Sequence, residues 1–186
     1  MRKRIVSTFL SLDGVMEAPG GEAGTPHAGW VFDFMGPEQL RYKLHEALEA
    51  ESLHIGRVTY QSFAGAWPKR TGEFADNMNA MPKQVVSSTL RDPAWTNCTV
   101  IAGDVAEAVA QLKAGTGGPV LVPGSRTLVH ALMASKLVDE YRLMLFPLIL
   151  GSGRRLFPET PHKTVLRLTG TRAFPSGVVV QTYQPA

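Results

Sequence analysis

Three consecutive residues, Gly124, Ser125 and Arg126, have the composition of a turn that binds an anion. They follow a short run of branched apolar residues and precede a segment whose leucines have helical spacing. Glycine lets a phosphate approach the backbone, and the free N–H groups of a helix N-terminus carry a partial positive charge. We therefore expect this turn to bind the phosphates of a nucleotide.

A second turn of the same kind follows the predicted strand at 53–55. Here Gly56 precedes Arg57 and Thr59, at the start of a predicted short helix that ends near residue 63. A guanidinium can hold a phosphate through two hydrogen bonds or stack on an adenine. We expect these residues to contact the same nucleotide.

A third turn, formed by Ser87, Ser88 and Thr89, follows the apolar pair at 85–86. Its hydroxyl groups suit the adenosine side of a dinucleotide, including an extra phosphate on the ribose. The alternative is a turn held together by its own side-chain hydrogen bonds. The segment GSGRR at 151–155 resembles part of a dinucleotide fingerprint, but no third glycine and no helix follow it, so we interpret it as a turn that borders the ligand.

Reduction by a nicotinamide needs orientation of the reactants, exclusion of water and a proton donor. The acidic candidates for that donor are Asp13, Asp33 and Glu38, in or beside the long segment 13–36, which is rich in Gly, Pro and Ala. Long loops in compact domains are often functional. Each acid also has a structural alternative, as a turn residue, a solvated loop residue and a first-turn helix residue respectively.

The strands and helices that must position these turns are predicted to form an α/β fold with a mostly parallel sheet. Parallel strands are expected because 120–122 and 141–150 are apolar runs joined by a helical segment, which makes a βαβ unit. A terminal antiparallel hairpin is expected around the turn at 175–177. The predicted strands cover residues 4–10, 53–55, 85–86, 99–102, 120–122, 141–150, 163–174 and 178–183.

Helices are predicted from capping signals and apolar spacing. Pro37 and Glu38 mark the start of one helix, whose expected apolar stripe is Leu40, Leu44, Ala47 and Leu48. Asp104 and Glu107 have the spacing of a capping box, which predicts a helix to about residue 114. Residues 65–82 show no regular pattern and are expected to be irregular.

Composition narrows the function classes. The 186 residues suit one domain, 44% of them are hydrophobic, and no apolar run is long enough for a membrane span. The single cysteine, Cys98, cannot form an internal disulfide, so we expect a cytoplasmic protein. Because one cysteine cannot build a zinc site with other cysteines and the five histidines lack ligand spacing, we also expect no metal site. Although the net charge is +3, Lys and Arg form no block beyond residues 2–4, which argues against a nucleic-acid partner.

Several motifs together resemble the dihydrofolate-reductase-like superfamily. They are SLDGV, LHIGRVTYQSF followed by AWP, KQVVSSTL, and VPGSRTLVHAL with KLVDEYRLMLFPLILGSGRRLF. The most similar branch contains the reductase domain of bifunctional riboflavin-biosynthesis deaminase-reductases and their stand-alone relatives. The resemblance covers nearly the whole chain in the same order. The deaminase signature, H-x-E with P-C-x-x-C, does not occur in this sequence.

The resemblance implies a three-layer fold with a twisted sheet of about eight strands, over a single domain at 1–186, that binds NADPH. It assigns the nicotinamide side to the loop of Leu12, Asp13 and Gly14, and the other cofactor contacts to the three turns described above. The implied function is NADPH-dependent hydride transfer to a small heterocyclic or sugar-linked substrate. The alternatives are a non-catalytic nucleotide-binding protein on the same fold and a flavin-using variant. Related reductases imply a homodimer.

Overall fold

One continuous sheet forms the centre of the molecule. The computed structural model of the chain describes residues 2–22, 24–103, 108, 116–161 and 163–186. The strands are β1 (Arg4–Ser11), β2 (Ser52–Gly56), β3 (Lys83–Val86), β4 (Cys98–Ile101), β5 (Val120–Val122), β6 (Glu140–Phe146), β7 (Leu166–Ala173) and β8 (Val179–Pro185). Their order across the sheet is β4-β3-β2-β5-β1-β6-β8-β7.

The direction of the strands decides where their ends meet. Every neighbouring pair from β4 across to β6 is parallel, whereas β8 runs antiparallel to β6 and β7 antiparallel to β8. The predicted eight-stranded, mostly parallel sheet with an antiparallel C-terminal hairpin is therefore confirmed. The carboxyl ends of six parallel strands lie along one edge, which is where open α/β sheets bind their ligands.

Helices cover both faces of the sheet, as the predicted three-layer fold requires. They are α1 (Pro37–Glu49), α2 (Arg57–Ala66), α3 (Glu73–Ala80) and α4 (Arg126–Ala134), with a short 3-10 helix over Trp67–Lys69. Side chains alternate along the strands, so Ile5 and Leu121 pack with α1, α2 and α3, and Val6 and Val122 pack with α4.

Residues 65–82 are not irregular, and this expectation was wrong. Helix α2 continues to Ala66, and α3 buries Ala75 and Met78, which are three residues apart and lie on one helix face. The end of α3 is held by the buried Lys83. Its ammonium donates hydrogen bonds to the carbonyl oxygens of Asn79 at 2.9 Å and Met81 at 2.6 Å. These contacts depend on distant residues, so local periodicity could not reveal them.

Two strand boundaries differ from those expected by three residues or more, and the others differ by at most two. β6 ends at Phe146 rather than at 150, because Pro147 has no N–H to continue the ladder. β7 begins at Leu166, three residues later than expected. The helix expected from Asp104 and Glu107 lies outside the described residues, apart from Ala108, which is helical and buried.

The expected apolar stripe of α1 was only partly right. Ala47 is buried, but Leu40 and Leu48 are 49% and 48% exposed. The face turned toward the sheet instead contains the buried polar residues Gln39 and Glu46. This face is stable because polar partners on β1 and at the ends of neighbouring loops satisfy those side chains.

The long segment 13–36 is anchored at its end by an aromatic cluster. Trp30 is buried, its ring centroid lies 5.2 Å from that of Phe146, and its indole N–H donates to the carbonyl oxygen of Glu17 at 2.8 Å. Phe34 also packs edge-on against Phe146, with ring centroids 6.1 Å apart. The segment is therefore fixed to the outer half of the sheet beside α1.

Candidate functional site

Ser125 joins two of the predicted turns at the carboxyl edge. Its hydroxyl oxygen accepts a hydrogen bond from the backbone N–H of Gly56 at 2.7 Å and donates one to Thr59 Oγ1 at 2.8 Å. Gly56 ends β2, Thr59 lies in the first turn of α2, and Ser125 precedes α4. The N-termini of α2 and α4 are thus held side by side.

Neither helix N-terminus is closed by a side-chain cap. Gly56, which precedes α2, has no side chain that could cap the helix. Ser125, which precedes α4, makes no capping hydrogen bond with its side chain. Ser125 has φ +64° and Gly124 has φ +81°, so two consecutive left-handed residues turn the chain sharply into α4. The geometry leaves the first N–H groups of two helices available to an anion at neighbouring positions.

Two predicted arginines lie beside these helix ends. Arg57 is exposed at the start of α2, and its guanidinium contacts Gln61 Oε1 at 3.2 Å, one helical turn away. Arg126 is also exposed, and its Nε donates to the carbonyl oxygen of Arg155 at 3.2 Å. Both add positive charge to the edge that the helix dipoles already make attractive to anions.

The turn after β3 is held by the hydroxyl of Ser87. This buried oxygen accepts hydrogen bonds from the backbone N–H groups of Thr89 at 3.2 Å and Leu90 at 2.9 Å. The side-chain-bonded turn, considered above as the alternative, is therefore what the structure shows for Ser87. Ser88 and Thr89 are exposed, and their assignment to the adenosine side stays a prediction.

An open depression of about 440 Å³ lies directly beyond this turn. Sequence reasoning missed Arg91, which lines it and donates to the carbonyl oxygen of Ser88 at 3.1 Å. The signal that could have found it is its position, two residues beyond the hydroxyl-rich run. The described residues that line it are Leu90, Arg91, Asp92, Pro93, Cys98, Thr99, Val100 and Ala102.

The loop after β1 pairs with the loop after β6 to form the other half of the edge. Leu12 donates its backbone N–H to the carbonyl oxygen of Leu148 at 2.9 Å, and its side chain is 61% exposed. Gly14 has φ +81°, and its carbonyl oxygen accepts from the N–H of Leu156 at 3.1 Å. Gly153 approaches so closely that a Cβ there would lie 2.6 Å from Val15 Cγ1.

Asp13 ties these two loops together. Its carboxylate accepts hydrogen bonds from the Ser11 hydroxyl at 2.6 Å and from the backbone N–H groups of Leu150 at 3.1 Å and Gly151 at 2.9 Å. The Ser11 hydroxyl is the main cause that lowers the pKa of Asp13 below its ordinary value. An ionised carboxylate with three donors is suited to positioning the loop, and it is a poor proton donor at neutral pH.

The other two acidic candidates lie on the surface. Asp33 is exposed in the long segment, and Glu38 is exposed in the first turn of α1. Within the described residues, no hydrogen bond or ion pair joins either of them to Asp13. The structure therefore does not gather the three acids into one catalytic group, and their role as proton donors stays a prediction.

Sequence reasoning also missed a buried polar group between α1 and the sheet. Lys43 and Glu46 of α1 meet Ser7 of β1, with Lys43 Nζ 2.6 Å from Ser7 Oγ. Gln39 lies one turn before Lys43 and bonds to the turn between β7 and β8 through Ser176. The available signal was the i, i+4, i+7 spacing of Gln39, Lys43 and Glu46 on one helix face.

The sequence profile of the RibD C-terminal domain matches residues 2–180 of the chain. The chain belongs to this family. Among curated proteins, YyaP of Bacillus subtilis is 25% identical over 98% of this chain and 94% of its own length. YwjB of the same organism is 26% identical over 95% of each. Both relatives are named as uncharacterised proteins.

Solved structures confirm that this RibD C-terminal domain has the dihydrofolate-reductase-like fold. A Shewanella sp. PV-4 structure, provisionally named as a riboflavin biosynthesis protein, has a TM-score of 0.75, 19% identity and 99% coverage of both chains. A Corynebacterium diphtheriae structure, named as pyrimidine reductase-like, has a TM-score of 0.72 and 13% identity, and the match covers 100% of this chain and 92% of that one. The family indicates a reductase-type function.

The part of the chain that the structure describes shows neither a metal site nor a membrane-spanning helix. Over those residues, no three His, Cys, Asp or Glu side chains come together in a way that could hold a metal ion. Of the helices described there, none is both long and apolar enough to cross a lipid bilayer.

Proposed function

We propose that this RibD C-terminal domain is a reductase that transfers a hydride from NADPH to a small heterocyclic or sugar-linked substrate. The observation that carries the proposal is the link through Ser125, which holds the N-termini of α2 and α4 together next to Arg57. One helix N-terminus favours an anion by roughly 0.3–1 kcal/mol. Two adjacent N-termini match the two phosphates of a dinucleotide better than either does alone.

The preference for NADPH over NADH follows from charge at the adenosine side. Arg57 follows β2, and Arg91 follows the turn of Ser88 and Thr89 after the neighbouring strand β3. Both arginines are exposed, and an added ribose phosphate gains charge-assisted hydrogen bonds from such groups. We expect NADPH to bind about tenfold more tightly than NADH, which corresponds to about 1.4 kcal/mol.

The loop pair after β1 and β6 suits the nicotinamide end. Leu12 presents an exposed apolar side chain two residues before Gly14, and a nicotinamide ring that packed on it would cover that side chain from water. Support for reduction comes from the family and from the fold shared with a protein named as pyrimidine reductase-like. These two sources indicate the reaction class, whereas the substrate follows from neither.

An assay of NADPH oxidation distinguishes the proposed reductase from a nucleotide-binding protein and from a flavin-using variant. Purified protein is mixed with NADPH and a panel of pterins, flavins and carbonyl compounds, and absorbance at the nicotinamide band is followed. Oxidation of NADPH that depends on one compound supports the proposal. Binding of NADPH without oxidation by any compound favours a nucleotide-binding protein, and a yellow purified protein favours the flavin-using variant.

The expected homodimer is part of this proposal. β7 lies at the edge of the sheet, and most of its residues are exposed on both faces. Leu168 on this strand and Val165 just before it are both more than half exposed. Edge strands of this kind need a cover. Light scattering is expected to give twice the mass of one chain, and the mass of a single chain would contradict the dimer.

A further inference from the structure

A charged cluster lies beneath α1, where apolar packing is usual. Lys43 Nζ lies 2.6 Å from Ser7 Oγ and 2.5 Å from Glu46 Oε2, and the Ser7 hydroxyl donates to Glu46 at 2.8 Å. The Glu46 side chain is only 1% exposed, and Lys43 is 12% exposed. From β6, Arg142 approaches Glu46 at 3.7 Å. The cluster is therefore shared by one helix and two strands.

Stability alone does not account for these charges. Removing a carboxylate and an ammonium from water costs several kcal/mol for each ion, and the attraction between them often only balances that cost. An apolar group of equal size would pack against the sheet at least as well. The cluster does fix one position for the ammonium, because a carboxylate and a hydroxyl hold it from two directions.

Phe9 shows where that ammonium lies relative to the carboxyl edge. The Phe9 ring centroid is 5.3 Å from Lys43 Nζ, and Phe9 follows Ser7 by two residues on the same face of β1. Although β1 lies between β5 and β6, Phe9 is only partly buried. A further two residues, or roughly 7 Å of strand, lead to Ser11, which holds Asp13 in the edge loop. Phe9 thus forms a surface between Lys43 and the edge.

The Lys43 ammonium has one N–H group more than the hydrogen-bond acceptors found for it within the described residues. An ammonium has three N–H groups, and within the described residues only Ser7 and Glu46 accept from this one. Asp13, the acid in the edge loop, already accepts three hydrogen bonds and has a lowered pKa. Lys43 is therefore the better-placed source of a proton for a flat substrate lying on Phe9.

We propose that Lys43 is the proton donor of the reduction proposed above, with Ser7 and Glu46 as positioning residues. The inference rests on the proposed function. NADPH, when bound, would supply a hydride with its electron pair, and this hydride would form a C–H bond on the carbon of a substrate C=N or C=O group. The π electrons move to the nitrogen or oxygen, which takes a proton from Lys43 as that N–H bond breaks. The neutral amine then regains a proton from solvent.

Lys43→Met and Lys43→Ala test this role, with Lys163→Met as the matched control at an exposed lysine. With the panel compound that the parent reduces, Lys43→Met is expected to lower kcat by about 100-fold or more. Its affinity for NADPH should stay within about twofold of the parent's. Ethylamine should restore activity to Lys43→Ala, where it can occupy the space left by the side chain, and not to Lys43→Met. A purely structural role would give no such rescue.

A binding measurement gives a result even without turnover. Pterin, a flat heterocycle with both C=O and C=N groups, is titrated by its fluorescence in the presence of NADP⁺. The parent is expected to bind it about tenfold more tightly than Lys43→Met, because the ammonium donates to the heteroatom. Equal binding by the two proteins, or no binding by either, contradicts the role of Lys43.

The two proposals fail in different ways. A parent protein that binds no NADPH contradicts the reductase itself, and the proton transfer with it. A parent that oxidises NADPH, together with a Lys43→Met variant of equal kcat, contradicts only the assignment to Lys43. Thermal unfolding of each variant is measured alongside, and a folded Lys43→Met protein with normal NADPH affinity and lost turnover supports the inference.

Discussion

Ser125 Oγ lies 2.7 Å from the backbone nitrogen of Gly56, although the two residues are 69 positions apart in the chain. The same hydroxyl donates to Thr59, so one side chain connects the end of β2, the start of α2 and the start of α4. This one oxygen atom therefore adds a direct link between two helix N-termini that the parallel pairing of β2 and β5 already brings to the same edge of the sheet.

Ser125→Ala removes both hydrogen bonds and leaves the Gly56 N–H without that partner. We expect the free energy of unfolding to fall by about 1–3 kcal/mol. NADPH affinity should fall about tenfold, because the two turns lose their common support. Ser135→Ala, at the exposed residue after the other end of α4, is the matched control. Urea unfolding and NADPH titration of both variants check this, and equal affinities would show that the link is irrelevant to binding.

Arg57→Gln tests the charge at the start of α2. The variant keeps a polar side chain but loses the guanidinium, so binding of NADPH should weaken about tenfold. Binding of NADH should weaken less, because NADH lacks the ribose phosphate. Arg41→Gln changes an exposed arginine of α1 and is the control. Fluorescence titration of the parent and both variants with each nucleotide checks this, and an equal loss for NADPH and NADH in Arg57→Gln contradicts the assignment of the phosphate to Arg57.

Gly153→Ala tests the contact between the loops after β1 and β6. A Cβ at this position lies 2.6 Å from Val15 Cγ1, and the backbone has φ +125°. Crowding and backbone strain together should cost about 1–3 kcal/mol of stability. Gly65→Ala is the contrasting control, because Gly65 is in α2 with open space around it and should gain up to about 1 kcal/mol. Thermal unfolding that shows no loss for Gly153→Ala would contradict the close approach.

Asp13→Asn tests the carboxylate that ties the same loops. Its pKa is lowered in the folded protein, so the ionised form stabilises the fold at pH values above the ordinary value of 3.8. That contribution is lost as the pH falls through the lower, folded pKa. At neutral pH the parent should be more stable than Asp13→Asn, and the difference should shrink below about pH 4. Urea unfolding at neutral and acid pH checks this, and a difference that does not change with pH would contradict it. Asp33→Asn, at an exposed loop residue, is the control at neutral pH.

The fold could be predicted because its signals are local. Branched apolar runs such as 120–122 identify buried strands, and the small, polar residues after them identify the turns at the carboxyl edge. Gly56, Gly124 and Ser125 stood out for this reason. Their side-by-side position follows from parallel strands, which the βαβ pattern already implied.

Other features could not be predicted because they depend on contacts through space. The face of α1 that packs on the sheet carries Gln39 and Glu46, which a hydropathy pattern assigns to solvent. Lys83 is buried because three carbonyl groups, including that of Thr96 at 3.1 Å, surround its ammonium. Asp13 looks like a free acid in the sequence, whereas Leu150 and Gly151 reach it only through the pairing of two distant loops.

Equilibrium titration of the unmodified protein with NADPH and with NADH tests the central claim most directly. Nicotinamide fluorescence reports the binding of each nucleotide under identical conditions. We predict saturable binding of NADPH with an affinity about tenfold or more above that for NADH, which corresponds to about 1.4 kcal/mol. Absence of NADPH binding, equal affinities, or tighter binding of NADH would contradict the proposal that the turns joined by Ser125 hold NADPH.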